Sequence, residues 1–259
     1  MEQLDVLLGQ DGQAGDGAVV VDHVVPDDVV DPVAVEDLER AAVWHAVPME
    51  QTAWDEISAA VAVAPYPVVA LPPDPARAEA GLAFLGITTR SWLGAVVANT
   101  GGLLIDHGWL RVLGSGGDGL PDVAAEADPA VGGLIVAYDV LGGQFAWIPS
   151  RPGIAPTVHY FGPDTLDWQD LGQGYTDWLY AVLAGSLTGF YETLRWPGWP
   201  DEVGALPPDQ GITVYPPPWS REGRDLSTTA RSPVPLIQLA GYYQDTARQL
   251  GSAPSSGSE

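Results

Sequence analysis

The sequence contains no cysteine and no lysine. The absence of cysteine excludes disulfide bonds, cysteine-based zinc sites and thiol catalysis. All ten basic residues are arginines, and they face 34 acidic residues, so the net charge is −24. A chain of this charge repels phosphate backbones and anionic lipid surfaces. We therefore expect neither a nucleic acid nor a membrane as partner.

Long apolar runs are also missing. No run approaches the roughly 20 residues that a helix needs to cross a bilayer. The N-terminus lacks the basic region of a signal peptide. These two observations predict a cytoplasmic protein. The 259 residues, 46% of them hydrophobic, are enough to bury a sizeable core.

Glycine, proline and tryptophan are abundant, with 31, 24 and 10 copies. Glycine and proline at this density indicate many turns and short elements. Tryptophan combines a large apolar surface with one polar group, so it suits both cores and interfaces. We expect most tryptophans to be buried, and surface patches where tryptophan occurs beside proline.

The chain divides into three parts by composition. Residues 1–48 form an acidic, low-complexity extension with eleven acidic residues before Arg40, and a sequence of this composition is typical of disorder. Its valine pairs weakly favour strands. From Met49 onward the sequence has the composition of an ordinary globular protein, so translation could start at Met1 or at Met49. We predict a single α+β domain over residues 49–250 and a disordered tail over residues 251–259.

The pattern within this domain predicts helices before and after a mostly antiparallel sheet. Apolar spacing predicts early helices over residues 51–64 and 75–85 and a late helix over residues 235–250. Short apolar runs predict strands from Leu93–Val97 through about Trp168. The proline-rich text after Arg195 predicts a loop-rich C-terminal part, with helices covering one face of the sheet. We expect one core cluster containing Trp109, Leu104, Val136, Phe145, Phe161, Leu179 and Phe190.

Long ungapped motifs resemble a bacterial family known as domain of unknown function 2625. They occupy residues 100–116, 142–146, 160–168 and 190–199. The resemblance covers residues from about Trp54 to Leu239, and the segment before Met49 lies outside it. This family implies no activity.

A looser resemblance links residues 142–146 and the helix start at residues 175–179 to the SUKH superfamily. Its members resemble fungal cell-wall-synthesis regulators, and many bacterial members are immunity proteins that neutralise toxins by direct contact. The resemblance implies a SUKH-like α+β fold and a protein partner, such as a basic toxin. The tryptophan- and proline-rich C-terminal text departs from the usual pattern of that superfamily.

Three residues are the best candidates if the protein is an enzyme. Asp106 and His107 could form an acid–base pair, and His159 lies in a predicted strand. Adjacent side chains usually point apart, however, so residues 106–108 favour a tight turn. His23 and His45 complete a scattered set without ligand spacing, and we therefore expect no metal.

Residues 114–119 fit the glycine pattern of a dinucleotide-binding loop, and Asp139 follows at the expected distance. The text after the loop is too short for a crossover helix between Pro121 and Pro129. We therefore expect a surface loop and no cofactor.

Aromatic and acidic residues suggest a surface for a protein partner. The candidates for partner binding are Trp196, Trp199, Tyr215, Trp219, Asp164 and Asp167. Tryptophan and tyrosine supply interaction hot spots, and carboxylates suit a basic partner. The tryptophans could instead attach the C-terminal loop to the core.

The favoured function is therefore non-catalytic protein binding of the immunity-protein kind. Two alternatives remain open, an enzyme that uses Asp106, His107 or His159, and a small-ligand or carbohydrate binder that uses exposed tryptophan. The oligomeric state is left open.

Overall fold

A computed structural model describes residues 51–128, 133–149 and 154–251. The predicted extension 1–48, Met49 and residues 252–259 of the predicted tail lie outside these ranges. In chain order the elements are α1 (Ala53–Ala62), β1 (Val68–Leu71), α2 (Pro75–Leu85), α3 (Trp92–Asn99), β2 (Gly102–Ile105), β3 (Leu110–Leu113), β4 (Ala127–Asp128), β5 (Gly133–Asp139), β6 (Gln144–Ile148), β7 (Thr157–Phe161), β8 (Trp168–Asp170), α4 (Tyr175–Ala181), α5 (Leu187–Phe190), α6 (Trp199–Gly204), β9 (Gln210–Tyr215), β10 (Ala230–Pro235) and α7 (Leu236–Gly251).

The predicted α+β class is confirmed. Seven strands form an antiparallel sheet in the order β1-β2-β3-β5-β6-β7-β8, and the short strand β4 pairs with β5 beside this path. Helices precede and follow the strands β2–β8, as predicted, while β1 lies between α1 and α2 in the chain. The helix α7 ends at Gly251, which is one residue inside the predicted tail.

Local signals explain the first two helices. Thr52 caps α1 through a capping box with Asp55. Asp74 caps α2 by accepting hydrogen bonds from two backbone N–H groups, and Pro75 occupies the first helical turn. Gly86 ends α2 in the left-handed region with φ 64°.

The predicted strand Leu93–Val97 is wrong, because these residues form most of the helix α3. Ser91 caps this helix by accepting a hydrogen bond from the backbone N–H of Gly94. Every residue from Trp92 to Val97 is buried. A helix that is apolar on all sides shows no helical periodicity, so its sequence cannot be told from a buried strand.

Both faces of the sheet are covered, and the expectation of one covered face is wrong. Successive residues of a strand point to opposite faces. Phe145 and Tyr160 lie side by side on one face, and the ring of Phe145 packs against that of Trp178 of α4, with centroids 5.2 Å apart. On the other face, Gln144 donates a hydrogen bond to the Ala240 carbonyl of α7 at 3.3 Å.

The C-terminal part contains a second, two-stranded sheet that the sequence did not predict. Strands β9 and β10 pair over six residues each, with Pro233 opposite Ile212 and Pro235 opposite Gln210. Proline removes a hydrogen-bond donor and is tolerated only at a sheet edge. Because both strands of a two-stranded sheet are edges, the prolines fit where they would break a larger sheet.

The predicted core is confirmed in part. Trp109, Val136, Phe145 and Leu179 lie in the main buried cluster. Phe161 belongs to a second cluster with Leu239 and Tyr243. Leu104 is only partly buried, and Phe190 is 38% exposed at the edge of the aromatic group around Tyr160.

The domain boundaries remain a prediction, with a direct test. We expect a chain that begins at Met49 to fold, because the buried core of the described residues starts at Ala53. Its thermal midpoint should lie within about 2 °C of that of the full chain, which corresponds to less than about 1 kcal/mol. Differential scanning calorimetry of the two chains makes the comparison. A much lower midpoint for the shorter chain would show that residues 1–48 contribute to the folded domain.

Candidate functional site

The predicted turn at Asp106 joins β2 to β3. Asp106, His107 and Gly108 adopt left-handed conformations with φ 54°, 57° and 80°. The backbone N–H of Trp109 donates to the Asp106 carbonyl at 3.0 Å and closes the turn. Asp and His tolerate this conformation better than most residues, and glycine adopts it without strain. This turn directs the Asp106 side chain toward the interior.

The carboxylate of Asp106 forms an ion pair with Arg195, which follows the 3₁₀ turn Glu192–Leu194. The guanidinium of Arg195 lies over the rings of Trp199 and Trp109, at 4.3 and 5.2 Å from their centroids. Asp106 is 5% exposed. A buried carboxylate paired with arginine in this way anchors the turn to the C-terminal part, and it is not positioned as a solvent-accessible base.

His107 and His159 do not complete a catalytic group with Asp106. The ring of His107 packs edge-on against Trp199 at 5.8 Å. His159 lies on β7, where its Nε2 is 3.2 Å from the Thr157 hydroxyl and 3.7 Å from a carboxylate oxygen of Asp170. Three strand intervals separate β3 from β7, a distance of about 14 Å. The three candidates therefore share no cleft.

The glycine-rich loop is a packed connection. Residues 114–128 contain no helix, so the crossover helix of a dinucleotide-binding unit is not formed after this loop. The hydroxyl of Ser115 donates to the Thr100 carbonyl at 2.9 Å and accepts from the backbone N–H of Asp74. A Cβ on Gly114 would lie 2.3 Å from that same carbonyl oxygen, so close packing explains this glycine.

The predicted partner-binding residues fall into two groups, and the first group is internal. Trp196 is 2% exposed and donates a hydrogen bond to Glu202 at 2.7 Å. Trp199 is half-buried against Arg195. Both residues attach the C-terminal part to the core, as the structural alternative proposed, and Trp196 is too deeply buried for direct contact with a partner.

The second group lies at the surface: Asp164, Asp167 and Tyr215 are exposed and Trp219 is half-buried. Trp219 packs on Tyr243 of the second cluster at 5.4 Å, while Leu166 and Trp168, from the turn that carries Asp164 and Asp167, pack on the same cluster. Tyr242 lies beside Trp219, and Tyr215 precedes Trp219 by four residues. We define the acidic–aromatic surface as Asp164, Asp167, Tyr215, Trp219 and Tyr242.

A fully buried carboxylate, Asp139, was missed as a structural centre. One oxygen accepts hydrogen bonds from the backbone N–H groups of Leu141 and Gly143, and the other accepts from the hydroxyls of Tyr160 and Tyr191, all within 3.1 Å. Burial raises the pKa of Asp139, and these hydrogen bonds oppose the increase. The Asp-x-Leu-Gly-Gly text was the available signal, because a carboxylate before a glycine turn often accepts from the turn.

A buried cation, Arg111 on β3, was also missed. It is 1% exposed, and its Nε and Nη1 atoms have no hydrogen-bond acceptor in the described chain. The signal in the sequence was one arginine inside an otherwise apolar strand.

The described residues contain neither a clustered set of metal ligands nor a membrane-spanning helix. Across residues 51–128, 133–149 and 154–251, no three His, Asp or Glu side chains gather in a way that could hold a metal ion. In the same ranges, every helix is too short or too polar to cross a bilayer.

Comparisons with known proteins place the chain in a family. The family "Protein of unknown function DUF2625" matches residues 45–239. The "Putative uncharacterized protein YbfG" of Escherichia coli is 39% identical over 206 residues, covering 77% of this chain and 95% of the relative. An "Uncharacterized protein" of Haemophilus influenzae is 34% identical over 177 residues, covering 64% and 78%. No solved structure matches the chain. The match extends over most of the described domain, and the chain belongs to the DUF2625 family.

Proposed function

We propose that this protein binds another protein without catalysing a reaction, and that the acidic–aromatic surface is its binding face. The exposure of Tyr215 and Tyr242, at 75% and 55%, carries this proposal. Tyr242 lies beside the half-buried Trp219, and Tyr215 is a second exposed aromatic residue four positions earlier in the chain. Exposed aromatic side chains of this kind are the usual composition of an interaction hot spot. The catalytic candidates support it indirectly, because each has a separate structural contact.

The charge of the chain favours a basic partner. Asp164 and Asp167 are exposed at one side of the aromatic residues, and the whole chain carries a net charge of −24. Complementary charge speeds association and selects the partner, while the aromatic residues supply most of the affinity. Neutralisation of a basic toxin, as the SUKH resemblance implies, is the more specific form of this proposal. A cytoplasmic location fits that role.

The other two functions have weaker support. An enzyme using Asp106, His107 and His159 would need these groups in one cleft, but the strand β7 that carries His159 lies three strand intervals, about 14 Å, from the strand β3 that follows Asp106 and His107. A carbohydrate site commonly uses an exposed tryptophan face, but among the described residues no tryptophan belongs to the large exposed hydrophobic side chains.

The binding face can be tested by paired substitutions. Partners captured from the natural host by cross-linking and mass spectrometry are expressed and purified, and their dissociation constants are measured by calorimetry. We expect Tyr215→Ser with Tyr242→Ser to weaken binding about 30-fold or more, since a hot spot contributes about 2 kcal/mol. The matched control is Phe84→Ser on α2, where the side chain is 70% exposed on a different element.

Neutralising the two aspartates distinguishes long-range electrostatic attraction of the partner from direct contact with it. Asp164→Asn with Asp167→Asn should slow association with a basic partner and reduce the dependence of its rate on salt, with a smaller change in dissociation.

An equal loss of affinity for the tyrosine pair and for Phe84→Ser would contradict the assignment of the binding face. Unchanged affinity in the tyrosine pair would do so as well.

A further inference from the structure

Arg111 is a buried cation, and two of its three side-chain nitrogens have no acceptor among the described residues. On its face of the sheet Arg111 lies between Leu104 of β2 and Tyr138 of β5, and the segment that follows α6 covers it. No described residue accepts a hydrogen bond from its Nε or Nη1, and no described carboxylate forms an ion pair with it. A buried charge without hydrogen-bond partners is strongly unfavourable, so such a group signals a missing partner.

Arg111 remains a cation at neutral pH. Burial lowers the pKa of Arg111 to about 10, which leaves the guanidinium protonated near pH 7. Asp139 and Asp209 act on it electrostatically, but neither is among the carboxylates that form an ion pair in the described residues. The oxygens of Asp139 already accept four hydrogen bonds from other groups. Asp139 and Asp209 therefore interact with Arg111 through their charge at a distance, and neither accepts a hydrogen bond from it.

Arg111 lines a cavity of about 260 Å³ between the edge of the sheet and the end of α6. His107 contributes the other ionisable side chain, and the remaining walls are mostly apolar. The further lining residues are Pro67, Val69, Leu104, Gly108, Val203, Gly204, Leu206 and Pro208. An apolar cavity with one convergent charged group is the usual form of a small-molecule site, and this volume suits a ligand smaller than a typical drug.

We propose that this cavity binds a small organic carboxylate with an apolar body, and that the carboxylate pairs with Arg111. The guanidinium presents parallel donors that match the two oxygens of a carboxylate. One arginine balances one negative charge, whereas a phosphate dianion would meet only this cation and the opposing field of Asp209. The apolar walls accommodate the remainder of the ligand. The site is distinct from the acidic–aromatic surface and goes beyond the proposed protein-binding function.

Gly204 provides a way to close the cavity without altering Arg111. Gly204 lies at the end of α6, and an added Cβ would meet only His107, at 3.9 to 4.0 Å, which is ordinary contact. Its backbone has no positive φ that would strain another residue. In Gly204→Leu the larger side chain should therefore extend into the cavity while the fold is kept.

The test is a thermal-shift and calorimetric titration of the full chain with benzoate and isovalerate. Benzamide serves as the uncharged equivalent of benzoate, and inorganic phosphate serves as the competing anion. At a concentration about a hundredfold above the dissociation constant, a carboxylate should raise the thermal midpoint by about 5 °C or more. Benzamide and phosphate should leave it unchanged.

Two variants and a control locate the binding. Arg111→Met, which retains the apolar length of the side chain, and Gly204→Leu should both lose the carboxylate response. Without ligand, Arg111→Met should unfold at the same temperature as the parent or higher, because an unpaired buried charge is removed. Arg224→Met, at an exposed position, should keep the full response. The proposal fails if neither carboxylate shifts the parent chain, if benzamide or phosphate shifts it equally, or if the response survives in both cavity variants.

Discussion

Replacing Asp139 by alanine is expected to lower the free energy of unfolding by about 4 kcal/mol. The substitution leaves two backbone N–H groups and two tyrosine hydroxyls without their acceptor at a site with 0% exposure. Each buried donor left unsatisfied costs about 1–3 kcal/mol, and partial rearrangement of the tyrosines reduces the sum. For a domain of this size the thermal midpoint should fall by roughly 10 °C.

Urea unfolding of the purified variant gives the free energy directly. The matched control is Asp164→Ala, which removes an exposed carboxylate and should change stability by less than about 0.5 kcal/mol. A loss below 1 kcal/mol for Asp139→Ala would show that the four donors find other acceptors in the variant. The hydrogen-bonded centre would then contribute little to the fold.

The same carboxyl group should make stability depend on pH. Burial raises the pKa of Asp139 above its ordinary value of 3.8, so the native protein holds this proton at pH values where the unfolded chain has released it. Stability from this group is therefore complete below about pH 4 and is lost as the pH rises through the native pKa. Asp139→Asn removes the titration, and the difference in unfolding free energy between parent and variant should decrease with rising pH.

The elements that the sequence predicts well have their signals close together in the chain. The helix α2 is an example, because its cap, its proline and its terminal glycine fall within 13 residues, Asp74 to Gly86. The turn at Asp106 is another, since the two strands that it joins flank it directly. In both cases the local text carries enough information to define the backbone.

The elements that were missed depend on the tertiary environment. Residues 92–97 form a helix that is buried on every side. Such a helix has no periodic apolar pattern, so the sequence predicted a strand instead. The strand β10 contains two prolines that only a sheet edge accepts. Neither property is visible before the neighbouring elements are in place.

The roles of the site residues also depend on the tertiary structure. The pairs Asp106 with Arg195 and Asp139 with Tyr191 join residues 89 and 52 positions apart, and a single sequence carries no signal for such pairing. The difference in burial between Trp196 and Tyr215 could not be predicted either, because both residues lie in similar proline-rich sequence. One is 2% exposed and the other 75%.

The ion pair between Asp106 and Arg195 is expected to show strong energetic coupling. Arg195→Met leaves the Asp106 carboxylate, which is 5% exposed, without its cation, and should cost about 3–5 kcal/mol. Asp106→Asn keeps the left-handed turn, which asparagine tolerates, but leaves the largely buried guanidinium unpaired. The double variant removes both charges and should be more stable than the sum of the two losses predicts, by about 2 kcal/mol or more.

A double-mutant cycle measured by urea unfolding gives this coupling energy. The exposed pair Arg248 and Asp245 is the matched control, and its coupling should be below about 1 kcal/mol because solvent screens it. Strong coupling would assign Asp106 to the fold, where it secures the β2–β3 turn beneath the C-terminal part. Additive losses would contradict this, since they would mean that Arg195 stabilises the protein by packing on Trp109 and Trp199 alone. Asp106 would then carry a charge that the fold does not need, and a chemical role for it would again require a test.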